Sequence, residues 1–373
     1  MPIDLDNNAT TQPDPAVLAV VNEVAATTWG NPGSPHARGR AARRVLEEAR
    51  ERIAAALDAP VDGVVFTSGA TESCRLAITG LARRPATLLR LPGDHPASRA
   101  ATDELVAAGW RAAEFDLTPA GQLDAASLAE QPWNAITLAT LPLAQNETGV
   151  LFDVAAVGER CREHGIAWHL DASQAVGRVP VSLRSLACSA LTISGHKMHG
   201  PRGIAAVLLG EGVTLRSPHG GGHQEAGRRA GTEAVALAAG LAEAVTIATR
   251  TVDTNAAAMR ALRDRFEREL RAAVPGLTIN AAASDRLPNT SSVQLPEGDG
   301  EAMLVALDLA GICCSLGSAC ASGSPEPAPV LLAMGLSPEA AGRSLRFSLS
   351  RSTTEADIVA TVAAIARIAS RTD

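Results

Sequence analysis

The chain contains no tyrosine, and phenylalanine and tryptophan together make up only 2% of its 373 residues. A mechanism that needs a phenol as acid, base or nucleophile is therefore excluded. No stretch offers about twenty uninterrupted apolar residues, so no membrane span is expected. The opening, Met1-Pro-Ile-Asp-Leu-Asp6, has neither the basic region nor the apolar core of an export signal, which leads to the expectation of a cytoplasmic protein. Six cysteines occur with no C-x-x-C pair, a spacing that suits free thiols and no metal site. A net charge of -7 lacks the basic surplus that neutralises phosphate backbones, so direct nucleic-acid binding is not expected.

With 46% hydrophobic and 20% charged residues, the chain can bury a sizeable core. Apolar periodicity predicts helices from about Pro15 and over 38–57. Short apolar runs then predict strands at 64–66, 87–89, 136–138, 166–170 and 191–193, with helices between most of them. Such alternation is the mark of a mainly parallel sheet covered by helices. Beyond Thr232 the rhythm changes to strands at 290–294, 312–315 and 345–348 and a helix at 301–309. A last helix is expected to begin at Ser352-Thr-Thr-Glu355 with a capping box, and the domain boundary to fall at about 250–260.

Polar clusters follow the ends of the predicted strands, where open parallel sheets bind ligands. Phe66-Thr-Ser-Gly-Ala-Thr-Glu72 leaves the backbone N–H groups of a helix start and the Thr71 hydroxyl free to hold an anion. His169-Leu-Asp-Ala-Ser-Gln174 places Asp171 at the edge of the core, where a carboxylate needs a partner. Ser194-Gly-His-Lys-Met-His-Gly200 carries Lys197 in a glycine-bounded loop. Singly these read as a capped turn, a capping carboxylate and a surface lysine. Together they supply what pyridoxal 5'-phosphate needs: an amine for the Schiff base, a carboxylate for the ring nitrogen and a helix terminus for the phosphate.

At these motifs the chain resembles the cysteine desulfurases of the class V aminotransferase group, NifS- and IscS-like proteins. The likeness is also carried by Leu5-Asp-Asn-Asn-Ala-Thr-Thr11, Gly30 to His36, Asn146-Glu-Thr-Gly149, Gly220 to Thr232 and Gly317-Ser-Ala-Cys320. It implies an α/β protein of PLP fold type I, with a large domain at 15–255 built on a mainly parallel seven-stranded sheet. Residues 1–14 and 256–373 would form a smaller α+β domain carrying the Cys320 loop. By the same resemblance Lys197 holds the cofactor, Asp171 meets the ring nitrogen, Gln174 the ring hydroxyl, and His95 stacks on the ring and helps in proton transfer. Thr71, Ser194 and His196 bind the phosphate, joined by Thr232 from a partner subunit, and Ala70 and Asn146 also contact the cofactor. Asn146 and Arg346 hold the substrate, with Arg346 on its carboxylate.

The implied reaction converts L-cysteine to L-alanine and leaves the sulfur on Cys320 as a persulfide. An acceptor protein would take it for iron–sulfur cluster assembly or tRNA thiolation. A homodimer is implied as well. Competing readings are a selenocysteine lyase, a small amino acid aminotransferase and a non-catalytic relative. Transamination needs no protein thiol, and a non-catalytic relative is expected to have lost Lys197, Asp171 or Cys320. The chain departs from the family at Cys74-Arg75, where asparagine is frequent, and in the 220–232 motif, which reads one residue longer and leaves Arg228 and Arg229 unassigned.

Overall fold

The structure is a computed structural model and describes residues 2–218, 220–316 and 327–370. Its largest sheet has seven strands in the order Val64–Thr67, Ala205–Leu209, Ala190–Ser194, Ala167–Asp171, Ile136–Pro142, Thr87–Arg90, Arg111–Glu114. Ala205–Leu209 pairs antiparallel with both neighbours, so it alone is reversed and the other six strands share one direction.

Strict alternation along the strands buries both faces. Val64 and Phe66 enter one core and Val65 the other; Leu88 and Leu89 divide in the same way, as do Leu138 and Ala139. One face is covered by helices Ala70–Leu81 and Pro96–Ala107 through Cys74, Leu76, Ala77, Ala101 and Leu105. Ala37–Ala56 and Val235–Arg250 cover the other through Leu46, Ile53, Leu241 and Val245. Two of these strands were not anticipated. Arg111–Glu114 is a mostly exposed edge without an apolar run, and Ala205–Leu209 follows the polar lysine loop too closely to read as a separate element.

A second, four-stranded antiparallel sheet runs Ser315–Leu316, Ser344–Ser348, Thr290–Gln294, Thr278–Ile279. Helices Val252–Ala273, Gly300–Leu309 and Glu355–Ala369 enclose its core of Phe266, Leu270, Val293, Leu307, Phe347 and Ile358. Leu5 joins that core because Ile3–Asp4 pairs in parallel with Ile312–Cys313. Val235–Arg250 and Val252–Ala273 meet at a 69° bend. Val330, Leu331 and Met334, far along the chain, pack into the core of the large sheet.

Two local expectations are corrected. The capping box is Thr354 with Asp357, two residues later than read, because Ser352 is held in a preceding turn by the Ser350 hydroxyl at 2.8 Å. The expected strand at 312–315 divides at Cys314: Ile312–Cys313 serves the N-terminal strand and Ser315–Leu316 the second sheet.

Candidate active site

Thr67 and Ser194 flank Ala205 from opposite sides, so the turns after them start about 10 Å apart, two strand spacings, at one edge of the sheet. Pro142, Asp171 and Thr192 are register partners along the same edge. The segments carrying Ala70 and Thr71, His95, Asn146, Gln174 and Lys197 therefore all leave the sheet on one side.

The Lys197 loop is tight because two glycines let backbone meet backbone. A Cβ on Gly200 would lie 2.6 Å from the Gly195 carbonyl oxygen. Lys197 ends a 3-10 turn, and its Nζ donates to the carbonyls of Asn8 and, at 2.9 Å, Ala9. The N-terminal segment thus lies across the loop, and the Thr11 N–H and hydroxyl fix it by donating to the His196 carbonyl at 2.9 and 2.8 Å. Beneath, the Arg178 guanidinium donates to the carbonyls of Gln174 and Asn7 at 2.9 Å each, to the Lys197 carbonyl at 3.5 Å and to the Gln174 side chain. Burial, with Arg346 nearby, pushes its pKa down to about 9. Gln174 donates to the Asn8 carbonyl at 3.0 Å.

Asp171 closes its strand and accepts the Ser173 N–H at 2.8 Å on one oxygen and the Cys74 thiol at 3.5 Å on the other. Two residues earlier, His169 is fully buried between the hydroxyls of Thr140 and Thr192, both at 2.9 Å, and burial pushes its pKa down to about 4. Asp94 is raised to about 7 by burial and by Asp171. Next to it His95 caps the helix Pro96–Ala107 by accepting the Ala97 N–H at Nδ1, 3.1 Å. Burial lowers its pKa, and Asp171, Lys197 and Arg346 all act on its charge, which places the four in one electrostatic neighbourhood.

At the other end of the edge, Gly69 caps the helix Ala70–Leu81 without a side-chain hydrogen bond. The hydroxyl of Ser194 is buried with no partner among the described residues. His196 meets the Thr10 hydroxyl at 3.2 Å, and burial together with Lys197 pushes its pKa down to about 4. Arg229, left unassigned from sequence, pairs with Glu72 at 2.8 Å beside this helix start, whereas Arg228 donates to the Asp62 carbonyl at 2.6 Å.

Arg346 reaches the site from the second sheet, 5% exposed, and meets Glu147 and Asp6 at 2.8 Å each. Asn146 donates to Glu147 at 2.5 Å. Thr232 lies elsewhere, lining a surface cavity with Trp29, Asn31 and Pro32. Cys320 lies outside the described residues. Sequence reading passed over Asp6, Asp94, Glu147 and Arg178 as working parts of this neighbourhood and named Cys74 only as a departure from the family pattern. Asp6, Cys74 and Glu147 sit within or beside quoted motifs, whereas Arg178 carried no motif signal.

The aminotransferase class-V family model matches residues 3–360. The chain is 40% identical over 359 residues to the cysteine desulfurase of Trichormus azollae, covering 95% of this chain and 90% of that one. Among solved structures it resembles a NifS-like protein with TM-score 0.93 at 30% identity, covering 100% of each chain. It also resembles SspA in complex with cysteine, with TM-score 0.81 at 27% identity, covering 95% of this chain and 100% of that one.

Proposed function

The chain belongs to the class V aminotransferases, and on that footing we propose that it is a cysteine desulfurase: it binds pyridoxal 5'-phosphate, releases alanine from L-cysteine and takes the sulfur onto Cys320 as a persulfide. The observation that carries this reading is that Lys197, Asp171 and His95 gather at one edge of the large sheet and Arg346 comes into the same neighbourhood from the second sheet.

The residues fit the cofactor. Lys197 would be the amine that holds it, and Asp171 and Gln174 would serve its ring nitrogen and ring hydroxyl. The Ser194 hydroxyl, which has no partner among the described residues, the helix start at Ala70 and Thr71 without a side-chain cap, and His196 would form an anion cradle for the phosphate. When bound, the cofactor supplies a protonated ring that withdraws electrons from the substrate Cα.

The chain's own groups do the rest. Arg346 and Asn146 orient the substrate by its carboxylate. Lys197 Nζ would take the Cα proton. Neutral His95, its Nδ1 accepting the Ala97 N–H, keeps its proton on Nε2 and offers that N–H as a hydrogen-bond donor. The Cys320 thiolate would then attack the substrate sulfur as the Cβ–S bond breaks, the electron pair staying with the carbon skeleton, which is reprotonated and leaves as alanine; an acceptor protein serving iron–sulfur assembly or tRNA thiolation would take the persulfide sulfur onward. A homodimer completes the phosphate site with the partner subunit's Thr232. That reading is supported by the place of Thr232 beside Trp29, which is 66% exposed beneath the Arg38 guanidinium.

The test is an absorbance spectrum of the purified protein, then L-cysteine with alanine and sulfide assayed. A visible band that changes on cysteine, alanine release, and loss of the persulfide in Cys320→Ala are expected. Protein that stays colourless and inert after incubation with pyridoxal phosphate would sink the proposal.

A further inference from the structure

Arg346 holds two carboxylates at once. Nη1 donates to Glu147 Oε1 and Nη2 to Asp6 Oδ1, both at 2.8 Å. The fork that would receive the substrate carboxylate is already engaged by the protein's own acids. A third carboxylate cannot join without displacing one of them, because one guanidinium does not offset three negative charges in a buried site.

The two acids differ in what leaving would cost. Glu147 is 7% exposed, its Oε2 is buried with no partner among the described residues, and burial raises its pKa. Taken from Arg346 it would be a buried charge answered by the neutral Asn146 amide and by no paired cation among the described residues. Asp6 has a side chain 29% exposed, so its carboxylate reaches water by rotating about its own bonds. Its backbone stays in place, because the Asn7 N–H donates to the Ser348 carbonyl at 3.2 Å and Asp6 forms a bridge to Ser348.

We propose that Asp6 is a placeholder: it occupies the outer half of the Arg346 fork, and the carboxylate of the incoming amino acid displaces it toward solvent while Glu147 remains. This rests on the reading of Arg346 as the substrate-carboxylate residue. Asp6 keeps the fork oriented and satisfied between turnovers, and every substrate carboxylate has to outcompete it.

The test uses the holoenzyme and two measurements: steady-state kinetics with L-cysteine, and calorimetric binding of L-alanine, which has the carboxylate but no sulfur to lose. Asp6→Asn removes the charge and keeps an acceptor. It should lower both the KM for cysteine and the Kd for alanine about three- to tenfold, with kcat changed less than about twofold. Asp6→Ser, which also lacks the charge, should do the same if Asp6→Asn folds poorly, and Asp6→Glu should bind like wild type. Unchanged or weaker alanine binding in both neutral variants would overturn the placeholder and leave Asp6 as a fixed support of Arg346. Wild type that releases no alanine from cysteine would instead defeat the desulfurase reading.

Discussion

The Cys74 thiol sits 3.5 Å from Oδ2 of Asp171, on the far side of the carboxylate from the Ser173 N–H. Burial, reinforced by the charge of Asp171, holds the thiol protonated by raising its pKa well above the usual range. Cys74 is therefore a weak, permanent S–H donor to the carboxylate.

Cys74→Ala removes that donor and opens a small void under Asp171. A loss of about 1–3 kcal/mol is expected in urea denaturation, partly recovered in Cys74→Ser. In the native protein Cys74 should not react with a thiol reagent until the chain unfolds, since it is fully buried.

Two buried groups tilt stability against pH in opposite directions. His169 is pushed down to about 4 from 6.5, so between these values the unfolded chain takes up a proton that the folded chain refuses. Stability then falls as pH falls through this window, by up to about 3 kcal/mol. His169→Gln should flatten that acid limb in urea titrations at pH 7 and pH 4.5. Asp94 is raised to about 7 from 3.8, so its contribution is present below about pH 4 and is lost as pH rises to about 7. Asp94→Asn should gain stability relative to wild type over that rise.

Arg178 is buried among carbonyls and the Gln174 side chain, joining Asn7, Gln174 and the Lys197 loop. Arg178→Met leaves those acceptors unmet. A cost of about 2–4 kcal/mol is expected, together with loss of bound cofactor on gel filtration. Arg178→Lys should restore little of either, because an ammonium cannot reproduce the planar fork.

Glu225 and Ala226 both adopt left-handed backbone, at φ 51° and 55°. Glu225 is held there by a forked pair with buried Arg50 at 2.9 and 3.0 Å. Ala226 is exposed and has only the strain, so Ala226→Gly should raise stability by about 0.5–1 kcal/mol. Glu225→Ala should cost about 2–4 kcal/mol, read as a lower Tm, by leaving the buried Arg50 fork to Glu47 and the Val64 carbonyl, and the Phe66 N–H without its acceptor.

The strands at 64–67, 136–142 and 190–194 were legible because they are short apolar runs between turn residues, and 290–294 stood out by its change of rhythm. The edge strand Arg111–Glu114 was not, because a strand exposed on its edge needs no apolar code. Lys197 and Asp171 stood out as candidates because one follows and the other closes a buried strand among small polar residues, a pattern with local cause.

By itself the sequence determined the period of each element, the glycines that allow the lysine loop to close on itself, and the chemical kinds available at the sheet edge. Only the tertiary structure decided what each group faces. Asp6 meets Arg346 across 340 positions, and Asn8 meets Lys197 across 189, because the first strand pairs with Ile312–Cys313 and draws the N-terminus over the site. Such contacts depend on how two sheets and their connecting helices pack. No local pattern encodes them, since burial and partner charge are properties of the assembled core and not of the neighbouring residues in the chain.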